Sequence, residues 1–300
     1  MLLFTLIVIA FMIFLIKARD IIFGYVVLEK KRSRDEIFRI LEHERIYYRA
    51  HYHRQNFERL TIKSKEGFNL TGHYLTSEKG VNSVIIILHG YSVDHHRSCQ
   101  YIDFFKEMGF NILLLDQRSH GESEGKYTTY GSFEVMDSEL WVNLMKEKLG
   151  ENSTIGIHGH SMGAATALLY SIKGEGKVKF IIAEAGYSDV EKLLKGKLHK
   201  HKIPLFPFYQ LTSHKIKGRC GFKVKDVCPI NIVKESKIPI LFIHGDRDEL
   251  VPCSMGIDMY RAKDGCKGIY IVKDGMHNTC YSKDKKRYEA VVSKFIYENI

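Results

Sequence analysis

Thr154-Ile155-Gly156-Ile157-His158-Gly159-His160-Ser161-Met162-Gly163, followed directly by Ala164-Ala165-Thr166-Ala167-Leu168-Leu169, is the stretch on which the reading of this chain turns. Its first part is apolar and β-branched and its last part small and apolar, so it describes a strand, a sharp turn and a helix. Such a turn crowds the backbone on both sides, and Gly159 and Gly163 stand where side chains would collide. Ser161, between His160 and Met162, is left at the tip, at a helix N-terminus above the end of a strand.

Outward from this turn, similar apolar runs recur at Val84 to Leu88, Ile112 to Leu115, Phe180 to Ala183 and Ile238 to Ile243. They are too continuous for half-exposed strands and suit a parallel sheet covered on both faces. Helical patterns lie between several of them, such as Phe133, Met136, Leu140 and Leu144, with Ser132 as the expected N-cap. An alternating α/β order implies a doubly wound sheet with ligands at the carboxyl ends of its strands. Upstream, Phe57 to Ser64 and Leu70 to Thr76 read as strands joined by a hairpin at Lys65-Glu66-Gly67.

A serine hydroxyl is a poor nucleophile until a base takes its proton, so a histidine and an orienting carboxylate are sought after it. The run ending at Ile243 leads into His244-Gly245-Asp246-Arg247-Asp248-Glu249-Leu250-Val251-Pro252, and Ile269 to Val272 leads into Lys273-Asp274-Gly275-Met276-His277. Both candidates therefore follow strands. The chain order Ser161, Asp248, His277 is that of one class of serine enzyme and differs from the orders of others.

With His89-Gly90-Tyr91 and Asp116-Gln117-Arg118-Ser119-His120-Gly121-Glu122-Ser123, these motifs make residues 57–300 resemble an α/β-hydrolase. The resemblance is to the serine aminopeptidase and monoglyceride-lipase-like branch, similar to bacterial membrane-anchored hydrolases and eukaryotic ABHD-type proteins. It implies a mostly parallel central sheet with helices on both faces and a helical cap insertion at about residues 187–237. It also implies that Asp248 is the carboxylate, with Asp246 as the second candidate, and that His120 orders its loop by hydrogen bonding. The oxyanion of an acyl-transfer intermediate would be met by the backbone N–H groups of Met162 and Tyr91. The Tyr91 ring would then shape the pocket.

A serine at the turn supports ester, thioester or amide cleavage, whereas dehalogenases and epoxide hydrolases of this fold use an aspartate there. The expected activity is a serine hydrolase acting on an acyl or lipid-like ester or thioester through an acyl-enzyme intermediate. The alternatives are an aminopeptidase and a non-catalytic binding module. No cofactor is expected, and no glycine-rich loop precedes a Lys-Ser or Lys-Thr pair. The histidine pairs His95-His96, His158 with His160, and His199 with His201 lack a carboxylate or cysteine at ligand spacing, so no metal is expected.

The chain begins with an apolar run, Leu2 to Ile16, followed by Lys17, Arg19, Lys30, Lys31, Arg32 and Arg34. Residues 1–28 read as a membrane anchor, and residues 29–56, charged with Ile37, Ile40 and Leu41 at helical spacing, as a helical linker. The run covers roughly 22 Å, short of a bilayer core of roughly 30 Å, so either Ile21 to Leu28 continues the span while Lys17 and Arg19 snorkel, or the whole segment lies along the membrane. Basic residues that all follow the run place the hydrolase domain in the cytoplasm by the positive-inside rule. On this reading residues 1–28 are separable, and their removal releases an active soluble enzyme.

A net charge of +10 favours anionic surfaces. The aromatics lie in apolar runs rather than among basic clusters, which disfavours nucleic acid. The six cysteines show no CxxC spacing and read as free thiols. Between Gly186 and Lys237, leucines and phenylalanines interleave with lysines, a composition that suits a lid facing either solvent or membrane. The oligomeric state is not legible.

Overall fold

Each apolar run expected as a strand becomes one in a single eight-stranded sheet. The computed structural model describes residues 1–28, 31–79 and 82–300; Glu29 and Lys30, at the head of the expected linker, lie outside the described residues. The strands are β1 (Glu58–Lys63), β2 (Asn69–Leu75), β3 (Ser83–Leu88), β4 (Asn111–Leu115), β5 (Thr154–His160), β6 (Phe180–Glu184), β7 (Ile240–Gly245) and β8 (Lys267–Val272). Their order is β1-β2-β4-β3-β5-β6-β7-β8. β1 and β2 form an antiparallel hairpin, β2 runs antiparallel to β4, and every other pairing is parallel.

Strand side chains alternate between faces, so one continuous apolar run feeds two cores. Ile85 and Ile87 of β3 join Phe105, Tyr288 and Val292 on one face, while Val84, Ile86 and Leu88 join Trp141, Met145 and Leu168 on the other. Six helices carry the argument below: α1 (Leu2–Val27), α2 (Arg34–His43), α3 (Glu134–Leu149), α4 (Met162–Tyr170), α5 (Val190–Lys200) and α6 (Leu205–Cys220).

Three features differ from the sequence expectations. Helix α3 begins at Glu134, and neither Ser132 nor Phe133 caps it with a side chain. Instead Glu134 turns back to accept hydrogen bonds from the Thr129 and Gly131 amides and the Thr129 hydroxyl. Its deepest face is Trp141, Val142 and Met145, with Met136, Leu140 and Leu144 only half-buried. Apolar residues surround this helix almost completely, so its sequence does not single out one stripe.

The charged segment after the apolar run does not stand free of the domain. Helix α2 starts with a Ser33–Glu36 capping box, and Ile37, Phe38 and Leu41 are fully buried in the first core.

Helix α1 is continuous over 26 residues, spanning the Lys17–Asp20 interruption. Its apolar face is largely exposed from Leu2 to Ile16, with only Leu15 half-buried, but Phe23, Val26 and Val27 are buried with Tyr130, Met162, Tyr187 and Ile216. The helix end is tied down by polar contacts as well. The Tyr91 and Tyr130 hydroxyls donate to the Val26 carbonyl at 2.6 and 2.7 Å, and the Thr128 amide donates to that of Val27. These donors satisfy carbonyls that a helix terminus leaves open. Residues 1–28 are thus an exposed apolar helix whose last turns belong to the body of the protein.

Candidate active site

The loops after β3, β5, β7 and β8 meet at the carboxyl end of the sheet. Ser161 is held at φ 54° and ψ −113°, a conformation costly for any residue with a side chain. A Cβ on Gly163 would stand 2.1 Å from the Leu88 carbonyl oxygen, and one on Gly159 would stand 2.4 Å from that of Gly163. Only glycine at both positions lets α4 begin against β3, and that contact is what lifts Ser161 out of the sheet. The Ser161 amide is already used, donating to the Glu184 carbonyl at 2.8 Å. The Met162 N–H, first in α4, is among the helix amides that have no intrahelical partner.

The loops bearing Asp248 and His277 cross at equally close quarters, since a Cβ on Gly245 would lie 2.2 Å from the Gly275 carbonyl oxygen. This crossing brings the His277 Nδ1 to 2.7 Å from Asp248 Oδ2 and its Nε2 to 2.9 Å from Ser161 Oγ. A carboxylate can only accept, so Nδ1 carries the proton and Nε2 accepts from the serine hydroxyl. Ser161, His277 and Asp248 are all buried. Asp246, by contrast, is exposed, and among the described residues it is Asp248 that bonds to His277.

Asp248 Oδ1 accepts from the Leu250 and Val251 amides at 2.9 and 2.8 Å, and Oδ2 also faces His244 Nε2 at 3.2 Å. Burial pushes this carboxyl up, but the bonds from His244 and His277, the electrostatic pull of the His277 imidazole and the Val251 amide outweigh it. The group is held well below the ordinary carboxylate range.

Sequence reasoning missed several supporting residues. His160 was read only as part of the turn, yet its Nε2–H donates to the His277 carbonyl at 2.9 Å. Burial lowers its pKa to about 4 and keeps it neutral. Glu184, at the end of β6, accepts from the Tyr101 and Tyr288 hydroxyls beneath the serine turn. The signal for such groups is a polar residue at the carboxyl end of an otherwise apolar strand.

The loop of Gly90 and Tyr91 passes over the serine, close enough that a Gly90 Cβ would lie 3.3 Å from the Ser161 Cβ. His89 fixes it: Nε2 accepts from the Gln117 amide, and Nδ1–H donates to the Gly90 carbonyl. His120 donates from Nδ1 to the Arg118 carbonyl and accepts at Nε2 from the Ser92 amide, ordering the neighbouring loop.

The fold does bring carboxylates to His95-His96, contrary to the expectation from spacing. The donor atoms of His73, His95 and Asp116 lie within 4.8 Å of one another, as do those of Asp94, His95 and His96. Their contacts are those of loop-ordering hydrogen bonds: His95 donates to Asp116 from both its amide and Nδ1 at 2.9 Å, and His96 does the same to Asp94. His158 pairs with the Tyr288 hydroxyl, and His199 and His201 are exposed. The six cysteines are free thiols.

Above Ser161 lies a cleft of about 190 Å³, bordered by Tyr91, Tyr130, Tyr187, Leu193 and Val251 and by the basic residues Arg32, Arg97 and Lys197.

A sheet of this order, a serine on a strained strand-to-helix turn and a histidine bonded to it define a serine hydrolase of the α/β-hydrolase fold. The chain belongs to the α/β-hydrolases, and residues 79–224 match the family described as serine aminopeptidase, S33. It is similar to the uncharacterized protein YqkD of Bacillus subtilis, with 32% identity over 93% of this chain and 92% of that one. It is also similar to the uncharacterized membrane protein YNL320W of Saccharomyces cerevisiae, with 23% identity over 81% of this chain and 80% of that one. Among solved structures it is similar to the Pyrococcus furiosus esterase Pf2001, with a TM-score of 0.66 and 25% identity, covering 82% of this chain and 92% of that one.

Proposed function

We propose that this protein hydrolyses carboxylic esters or thioesters through an acyl intermediate on Ser161. In this scheme His277 takes the hydroxyl proton as Oγ attacks the carbonyl carbon, and Asp248 holds the imidazole in the required tautomer and stabilises its positive charge. The oxyanion is met by the Tyr91 and Met162 N–H groups. His277 then gives its proton to the departing alkoxide or thiolate. A water, activated by the same histidine, releases the acid and restores the serine.

The observation that carries the choice of substrate is the charge of the cleft. Among the described residues its lining holds Arg32, Arg97 and Lys197 and no aspartate or glutamate. An aminopeptidase must hold a substrate ammonium close to the scissile bond, and a basic lining repels it. An ester or thioester has no such requirement. Within the expected insertion, α5 borders the cleft with Leu193 and Lys197 and packs against α6, and the two serve as its cap.

The experiment is turnover of p-nitrophenyl esters beside aminoacyl p-nitroanilides, by wild type and Ser161→Ala. Ester turnover that disappears in the variant supports the assignment. Faster anilide turnover would replace it with a peptidase, and fluorophosphonate labelling at another serine would remove Ser161 from the chemistry.

The bare run of α1 anchors the protein in this reading, and its flanking basic residues place the hydrolase domain on the cytoplasmic side. Protease added outside intact cells or spheroplasts should leave that domain whole. Digestion there would reverse the orientation.

A further inference from the structure

Beside the serine cleft lies a second cavity of about 280 Å³, enclosed between α1, α5 and α6. Its walls include Ile22 and Val26 from α1, Leu194 and Leu198 from α5, and Ile216 from α6. Tyr25, Tyr130 and Lys197 border this cavity and the serine cleft alike. An apolar space of this kind, next to a polar reacting centre, suits a ligand with one long apolar arm.

The helix that closes the cavity is the helix that carries the exposed apolar run. From Ile16, where the bare run ends, to Ile22 is about 9 Å along the axis, so the cavity sits just beyond the segment suited to lipid. Lys17 and Arg19 mark the boundary between them. Helix α6 extends the same surface: Phe208 packs against Phe14 with ring centroids 6.3 Å apart, and Phe206 beside it is 77% exposed. The Lys215 ammonium of α6 meets Asp20 of α1 at 2.8 Å and lies over the Phe23 ring, fixing the two helices together where the cavity begins.

We propose that α1 is part of the substrate site as well as an anchor: its Ile21–Val26 segment walls an acyl-chain cavity filled by an amphiphile drawn from the bilayer along α1 and α6. The inference rests on the acyl-ester reading of Ser161. The carbonyl lies at the serine, the chain runs into the cavity, and the polar end stays in the basic cleft.

A direct test uses a decyl fluorophosphonate bearing a terminal diazirine, applied to the full chain in lipid nanodiscs. Ser161 displaces fluoride, and irradiation then inserts the chain end into whatever surrounds it. Insertion within residues 21–26, or opposite them on α5 and α6, is the expected result. In parallel, kcat/KM for p-nitrophenyl esters should rise about threefold per methylene from butyrate upward. Ile22→Trp and Leu198→Trp, at half-buried wall positions, should each lower the decanoate-to-butyrate ratio at least tenfold. Ser161 labelled with insertion elsewhere, or a wild-type series flat in chain length, would overturn the cavity assignment and leave the hydrolase intact. Failure to label Ser161 at all would remove both.

Discussion

Beneath the cleft, the serine and its partners stand on backbone with almost no room to move; above it, α1, α5 and α6 meet largely through side chains. The lower region is fixed by carbonyl oxygens just over 2 Å from where a Cβ would be and by short hydrogen bonds to Asp248, His277 and Glu184. The upper region is fixed by Phe23, Val26, Leu194 and Ile216 and by two tyrosine hydroxyls on one carbonyl. Close backbone approach tolerates few residue types and leaves short, recognisable motifs. Apolar packing tolerates many and leaves composition only. On the proposed acyl-ester reading the contrast would separate reaction from specificity: the lower region would set what bond can be broken, and the upper one what can reach it.

The hardest blow to this contrast would come from the carboxylates. Asp248→Asn should lower kcat by about a thousandfold or more, because the imidazole loses the partner that sets its tautomer. Asp246→Asn, two residues away but exposed, should change it less than about threefold. Equal effects in a p-nitrophenyl butyrate assay would mean that the geometry around His277 does not govern the rate.

Two truncations examine the upper region. Removal of residues 1–20 strips the bare run and keeps the docked turns, and should give a soluble protein with a thermal midpoint near that of the full chain. Removal of residues 1–28 uncovers Met162, Tyr130 and Tyr187 and deprives two hydroxyls of their acceptor. That protein should melt roughly 10 °C lower, from the burial lost at Phe23, Val26 and Val27. Identical melting curves would show that α1 is a mere tether.

Acid unfolding probes the lower region from below. Burial pushes the Glu184 carboxyl up, but the His158 bond, the polar imidazoles of His160 and His158 and the Tyr288 hydroxyl outweigh it and leave it at about 2. A carboxyl depressed in the folded chain stabilises it above the unfolded value of about 4.5, and that stability is lost as the pH falls toward 2. Glu184→Gln should therefore show a shallower loss of stability across that window, read by circular dichroism. An unchanged acid limb would take Glu184 out of the support for the serine turn.

The smallest expected effect is at His160. His160→Phe removes the N–H bond to the His277 carbonyl and should lower kcat/KM about tenfold. His160→Gln, which keeps a donor, should recover part of it. A drop in both variants alike would assign His160 to packing.

Most of the sheet was legible because a parallel strand buried on both faces must be largely apolar, and β3 to β7 are, with their polar residues mostly at the ends. Helix α3 was located correctly but turned wrongly, since Trp141 and Met145 compete with Met136 and Leu144 for the same core and the sequence offers apolar residues on nearly every side. Asp248, His277, Tyr91 and Met162 were placed from motifs next to strand ends. His244, His160 and Glu184 support them from positions whose partners lie far away in the chain.

By itself the sequence determined the strand order of chemistry: a serine at a turn only glycines permit, then an acid and a histidine after successive strands, and an apolar run ahead of them all. Those are local constraints, written in adjacent residues because backbone crowding acts over a few ångströms. That the last turns of the helix bearing that run pack onto the body beside the cleft was decided by tertiary structure alone. Val26 meets Tyr91 and Tyr130 across 65 and 104 residues of chain, and no spacing rule encodes a contact made by packing at that separation.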